Sequence, residues 1–155
     1  MQKEEFIRRV RGCERRMYRV AYTTLRNNAD CEDAVQEALL KAWSKLHTLR
    51  EPAYFETWLI RILINESRQL LRRRGTGETE LTENIPMPEQ EENSLYQAIM
   101  RLPEKQRIAV ELHHIEGYSV RETAKLMRLP EGTIKWRLKR AREQLKDILE
   151  KEGLL

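Results

Sequence analysis

The 155-residue chain is predicted to be all-α, with two small helical domains joined by a flexible acidic linker. Three observations predict this. Apolar residues recur at spacings of three and four through both halves, as in helices that bury one stripe. Between the halves, residues 76–94 hold six Glu and no Lys or Arg, with Gly77, Pro86 and Pro88 and no helical period. Charged residues make up 35% of the chain and aromatics 6%, a balance suited to a soluble, helix-rich protein. The expected division is a first domain at 1–75, a linker at 76–94 and a second domain at 95–155.

Residues 3–26 read as the first helix. Phe6, Val10, Cys13, Met17, Val20 and Ala21 form its apolar stripe, and Arg8, Arg9, Arg11, Arg15, Arg16 and Arg19 its basic side. Asn27-Asn28-Ala29-Asp30 stops it, with Asp30 placed to cap the next helix. Residues 30–46 form a regular amphipathic helix with Ala34, Val35, Ala38, Leu39, Ala42, Trp43 and Leu46 inward. Asp33, Gln36, Glu37 and Leu40 lie towards its other side. Attraction to the helix N-terminus accounts for Asp33 but less well for Glu37.

His47–Ala53 reads as a loop, and residues 54–74 as a long helix. Phe55, Trp58, Leu59, Ile62, Leu63, Leu70 and Leu71 are its expected core residues, while Arg61, Asn65, Arg68, Arg72, Arg73 and Arg74 make a basic side. Arg68 and Arg72, four apart, repel each other slightly, and a bound polyanion relieves that. After the linker, Leu95, Ala98, Ile99 and Leu102 mark a short helix ending at Pro103. Ile108, Ala109, Leu112 and Ile115 are the inward residues of another, closed by Gly117.

Residues 118–149 then read as two helices with a tight turn. Ser119 and Glu122 form a capping box before a helix that carries Val120, Ala124 and Met127. Arg128-Leu129-Pro130 interrupts it. A second helix follows with Ile134, Leu138, Ala141, Leu145 and Ile148 on one stripe and Lys135, Arg137, Lys139 and Arg140 mostly off it. A helical hairpin with a solvated charged face fits the periodicity alone. The capping box, the short turn and the basic start of the last helix favour a helix-turn-helix that enters a DNA major groove.

Charge agrees with a polyanionic partner. Residues 1–75 carry a net +6, residues 76–94 a net −6 and residues 95–155 a net +4. The chain opens MQKEEF with no apolar segment behind it, and no apolar run approaches the roughly 20 residues of a membrane span, so a cytoplasmic protein without membrane insertion is expected. Cys13 and Cys31 fit no zinc spacing, and adjacent His113 and His114 diverge on a helix, so no metal and no cofactor are expected. Phosphate-loop and hydrolase motifs are missing, and no acidic residues group with a histidine or nucleophile, so no enzyme and no catalytic residues are expected.

Both halves, in order, resemble the bacterial sigma-70 family of transcription initiation factors, in the short two-domain form of its extracytoplasmic-function (ECF) group. DCEDAVQEALLKAW is similar to the part of sigma region 2 that docks on the clamp coiled coil of the largest RNA polymerase subunit. FETWLIRILINESRQLLRRR is similar to the part of region 2 that reads the minus-10 element. The segment from LPEKQRIAV to KRAREQL is similar to region 4, a helix-turn-helix.

The resemblance implies a factor that binds core RNA polymerase, directs it to minus-35 and minus-10 promoter elements and assists melting. Asp33, Gln36, Glu37 and Leu40 would then contact core polymerase. Arg61, Asn65, Arg68 and Arg72 would meet minus-10 DNA, with the loop at His47–Tyr54 holding a flipped base. Arg121, Glu131, Gly132, Thr133, Lys135, Trp136, Arg137 and Arg140 would meet the minus-35 duplex. An anti-sigma factor is a further implied partner. Arg128 stands where the family often has glycine, Trp136 where it commonly has a small residue, and Ser67 and Gln69 where aspartate is frequent. The rival reading, an autonomous helix-turn-helix repressor or activator, leaves the N-terminal half unexplained.

Overall fold

The computed structural model describes residues 1–74 and 94–153, so Gly75 and most of the expected linker lie outside the described residues. Those described are helical, without strands, and fall into two compact units.

In the first unit α1 (Lys3–Leu25), α2 (Asn28–Ser44) and α3 (Phe55–Arg73) pack pairwise into a three-helix bundle. The α1 stripe is buried at Phe6, Cys13, Met17, Val20 and Ala21. Burial then continues around the helix through Tyr22, Thr23, Thr24 and Leu25. The two hydroxyls enter the core satisfied, Thr23 donating to the Arg19 carbonyl at 2.9 Å and Thr24 to that of Val20 at 3.2 Å. Arg26, left-handed at φ 56°, ends α1.

The cap of α2 corrects the sequence reading. Asn27, and not Asp30, is the capping residue, and its side chain accepts from the Asp30 amide at 3.1 Å. The helix therefore begins at Asn28. Asp30 is instead buried and paired with the Arg74 guanidinium. Burial raises its carboxyl above the ordinary aspartate value, with Arg74 opposing.

Because α3 is covered by both α1 and α2, its buried face is wider than a stripe. Ile60 and Ile64, not expected in the core, are buried there with Phe55, Leu59, Leu63, Glu66 and Ser67. Trp58, Ile62, Leu70 and Leu71 are only half-buried. The expected loop between α2 and α3 holds two short 3-10 turns, Leu46–Thr48 and Pro52–Tyr54. Arg9 of α1 ties it down by donating to the Pro52 carbonyl at 2.7 Å, and Arg16 pairs with Glu56 in the first turn of α3 at 3.0 Å. Beside it Phe6 meets Trp43 and Phe55 edge-on, with ring centroids 5.1 and 5.6 Å apart.

The second unit comprises α4 (Ser94–Met100), α5 (Glu104–Val110), α6 (Val120–Met127) and α7 (Glu131–Lys151), with α7 packed on the other three. A π-helical turn at Glu111–Ile115 continues α5. Its wider winding shifts the inward face, so Leu112 is buried but Ile115, expected inward, is 41% exposed. Leu95 is likewise exposed. Gly117, at φ +85°, turns the chain into α6, and the His113 ring donates from Nδ1 to the Tyr118 carbonyl at 2.7 Å across that turn. On α7, Ile134, Leu138 and Ala141 are buried, while Leu145 and Ile148 are half-buried.

Candidate functional site

On α2, Asp33, Gln36, Glu37 and Leu40 stand at intervals of three, one and three, a spacing that keeps them on one helical face. All four are exposed, and Leu40, an apolar residue, is 67% exposed. An acidic row around a bare leucine suits a protein partner with a cationic, partly apolar face.

The bundle adds neighbours to this row that the sequence did not mark. A groove of ≈ 520 Å³ between α2 and α3 is lined by Asp33, Glu37, Lys41, Glu66, Gln69 and Arg73, among others. Lys41 bridges its floor to Glu66 at 2.6 Å. Gln69 and Arg73 sit more than 30 residues from Asp33 and Glu37 in the chain, so only packing brings them beside these acids.

On α3, Arg61, Asn65, Arg68 and Arg72 fall at intervals of four, three and four. Arg61, Asn65 and Arg72 are exposed, whereas Arg68 is half-buried. Ser67, one of the two departures from the family pattern on this helix, lies wholly in the core, and Gln69 is half-buried. Ser67 therefore cannot alter the α3 surface directly. In the preceding loop, His47 and Tyr54 are exposed.

In the second unit the capping box of α6 is complete. The Glu122 amide donates to the Ser119 hydroxyl at 3.0 Å, and the Ser119 amide to the Glu122 carboxylate at 2.9 Å. Arg128 ends α6 in the left-handed region, at φ 58° and ψ 47°. Pro130, extended, precedes the first residue of α7 instead of lying within it. Thr123, Ala124, Leu126 and Met127 of α6 are buried, and α6 packs on α7.

That packing leaves one side of the start of α7 open. Glu131, Gly132, Lys135, Trp136 and Arg140 are exposed there, and Arg121 is exposed at the start of α6. Trp136 is 61% exposed, with the Arg140 guanidinium 6.0 Å from its ring centroid. Thr133 is half-buried. So is Arg137, whose Nη1 is shielded from solvent, which makes it partly a packing residue.

An all-α chain whose capped support helix presents an exposed basic helix after a tight turn defines a DNA-binding protein of the helix-turn-helix class. Its relatives narrow this. The family described as Sigma-70 region 2 matches residues 9–76, and that described as Sigma-70, region 4 matches residues 92–145. The chain is 35% identical over 141 residues to the ECF RNA polymerase sigma factor SigM of Mycobacterium tuberculosis, covering 87% of this chain and 72% of that protein. It is 31% identical over 139 residues to the ECF RNA polymerase sigma-E factor of Escherichia coli, covering 76% and 73%.

Among solved structures, the sigma factor RpoE of Bartonella quintana in complex with the anti-sigma factor NepR is similar with a TM-score of 0.82. The identity is 26%, over 95% of this chain and 98% of that one. CnrH in complex with the cytosolic domain of CnrY gives a TM-score of 0.73 at 25% identity, over 96% and 90%. The chain belongs to the ECF group of the sigma-70 family and is a transcription initiation factor. No helix among the described residues is long and apolar enough to cross a membrane.

Proposed function

We propose that the chain binds core RNA polymerase through the α2 row of Asp33, Gln36, Glu37 and Leu40, with the clamp coiled coil of the largest subunit as its partner. The exposed face of α3 (Arg61, Asn65 and Arg72, with Arg68 at its edge) then meets the minus-10 element. The loop at His47–Tyr54 accepts a base drawn from the non-template strand, and binding within the polymerase complex offsets the few kcal/mol of unstacking. Arg121 and the start of α7, from Glu131 to Arg140, read the minus-35 element in the major groove. Basic side chains there reach guanine edges and others hold phosphates.

The observation that carries this reading is the exposure of three separate surfaces, one acidic and two basic, on elements that the two sigma-70 regions cover. Residues 1–75 then form region 2, residues 76–94 a linker and residues 95–155 region 4. RpoE is solved in complex with the anti-sigma factor NepR, and CnrH in complex with the cytosolic domain of CnrY. An anti-sigma factor is accordingly the regulator proposed for this chain, acting with it in the cytoplasm.

The test is run-off transcription from fragmented genomic DNA of the source bacterium, with core polymerase alone and with the protein added. New start sites that need the protein, preceded by two shared sequence elements, are expected. Absence of new starts, together with a shift of duplex DNA by the protein alone as a dimer, would return the chain to the class of autonomous regulators.

A further inference from the structure

The outer face of α1 carries arginines that the bundle itself does not use. Arg8, Arg11 and Arg15 stand at intervals of three and four, so they share one helical face, and all three are exposed. The row is about 10 Å long, enough to face more than one phosphate of a nucleic-acid strand. Arg11 and Arg15 take part in no ion pair among the described residues. Arg8 lies 3.9 Å from Glu5, but that carboxylate is held closer by Arg9, at 2.9 Å. With the Arg8 side chain 75% exposed, its pair is a weak one. Glu4 and Glu14, the other acids of α1, are exposed and form no ion pair among the described residues. Arg11 and Arg15, like charges four apart, therefore repel each other in the free protein.

Gly12 is a second sign of a ligand. It lies inside α1, exposed, one turn beyond Arg8, where glycine weakens a helix. A Cβ added there would meet nothing within 4 Å, so the packing of the bundle does not call for its absence. A bare backbone among exposed cations suits the close approach of another chain.

The neighbouring arginines locate that ligand. Arg9, next to Arg8, donates to the Pro52 carbonyl at 2.7 Å, and Arg16, next to Arg15, pairs with Glu56 at the start of α3. The N-terminal end of the row thus lies beside the loop at His47–Tyr54. A guanidinium matches a phosphate in shape as well as charge. An anionic membrane fits less well, because the apolar stripe of α1 (Phe6, Cys13, Met17 and Val20) is buried in the bundle and cannot enter a bilayer.

We propose that Arg8, Arg11 and Arg15, with Gly12 among them, form a track for the phosphates of the non-template strand where it runs on from the base held in the loop. The track lies outside the α2 and α3 surfaces assigned above, and it rests on the minus-10 reading. It holds the backbone and not the bases, so it strengthens the grip on the melted strand without adding base preference.

The test uses holoenzyme assembled from core polymerase and the full chain, titrated over a range of salt. The probes are non-template-strand oligonucleotides with a minus-10 element recovered from run-off transcription. One ends at the element, and two others carry a short tail on its 5′ or its 3′ side. For the wild type, one of the two tails should tighten binding several-fold and steepen the log K against log salt slope by about 2, at about 0.7 per phosphate. Combining Arg8→Gln, Arg11→Gln and Arg15→Gln should abolish that gain, while the tailless probe is bound as before and the melting temperature does not fall. Gly12→Gln should melt higher and lose part of the gain; a full gain there removes Gly12 alone from the track. Wild-type holoenzyme that gains from neither tail, or a triple variant that gains as the wild type does, overturns the proposal. Should the triple variant keep the gain but lose binding of the free chain to phosphatidylglycerol vesicles, the row belongs to a membrane surface instead. Indifference of the wild type to changed minus-10 bases overturns the proposal together with the reading it rests on.

Discussion

Lys41 and Glu66, 25 residues apart in the chain, are joined at 2.6 Å across the α2–α3 interface, with the Glu66 side chain only 3% exposed. Lys41 lies one turn beyond Glu37 on α2, so the pair holds the acidic row against α3. A buried carboxylate with one cationic partner is sensitive to loss of that partner, more than to loss of the whole pair.

Lys41→Met is therefore expected to lower stability in urea unfolding by about 2–3 kcal/mol, because Glu66 stays buried without its cation. Adding Glu66→Leu should recover most of the loss. If Lys41→Met alone unfolds at the wild-type urea concentration, the pair does not hold the interface.

Ser67 is fully buried in α3, and its hydroxyl has no hydrogen-bond partner. Removing it with Ser67→Ala should stabilise the chain by about 1 kcal/mol, since an unsatisfied hydroxyl costs free energy in the core. Ser67→Asp, which restores a residue frequent in the family near this position, should destabilise by about 3 kcal/mol or more by burying a charge. Thermal unfolding of the two variants checks the opposite signs.

Burial of Cys13 raises its thiol from 9.0 to about 11, and burial of Cys31 raises the other to about 12. Both are reduced and buried in the bundle. The folded protein should thus react slowly with a disulfide reagent at pH 8, and rapidly once urea unfolds it. The sign of the pH effect follows from the raised values. Between pH 9 and about 11–12 the folded state holds thiol protons that the unfolded state has lost, so stability falls as pH rises through that window. Replacing both with Ala should flatten the fall in urea stability between pH 8 and pH 10.

Glu37→Lys, on an exposed position, should leave the melting temperature unchanged and weaken binding to core polymerase at least tenfold, an electrostatic loss of about 1.4 kcal/mol or more. Wild-type affinity for core would remove Glu37 from the docking surface. For the proposed minus-35 surface, Lys135→Glu is the cleaner reversal. Lys135 is exposed, whereas Arg137 is half-buried and its reversal disturbs packing as well. Transcription from the minus-35 promoter should fall while core binding survives.

Helix identity was legible in the sequence because it rests on local spacing. The capping box at Ser119 and Glu122, the stripe of Ile134, Leu138 and Ala141, and the termination at Gly117 appear where the residue pattern puts them. The candidate surfaces were legible in part. The α2 row is exposed at all four positions, but the α3 and α7 rows each contain half-buried members, Arg68, Thr133 and Arg137.

By itself, then, the sequence determined the all-α class, the order of the helices and the turn that separates α6 from α7. These depend on 3.6-residue periodicity, caps and breakers, which act within a few residues. Only the tertiary structure decided that Asp30 pairs with Arg74 instead of capping α2. It also decided that Ile60, Ile64 and Glu66 are core residues, and that Gln69 and Arg73 flank the acidic row. Each of these depends on which helix faces cover one another. A face enclosed on two sides buries more than a stripe, and a charge enclosed there must find a partner far away in the chain.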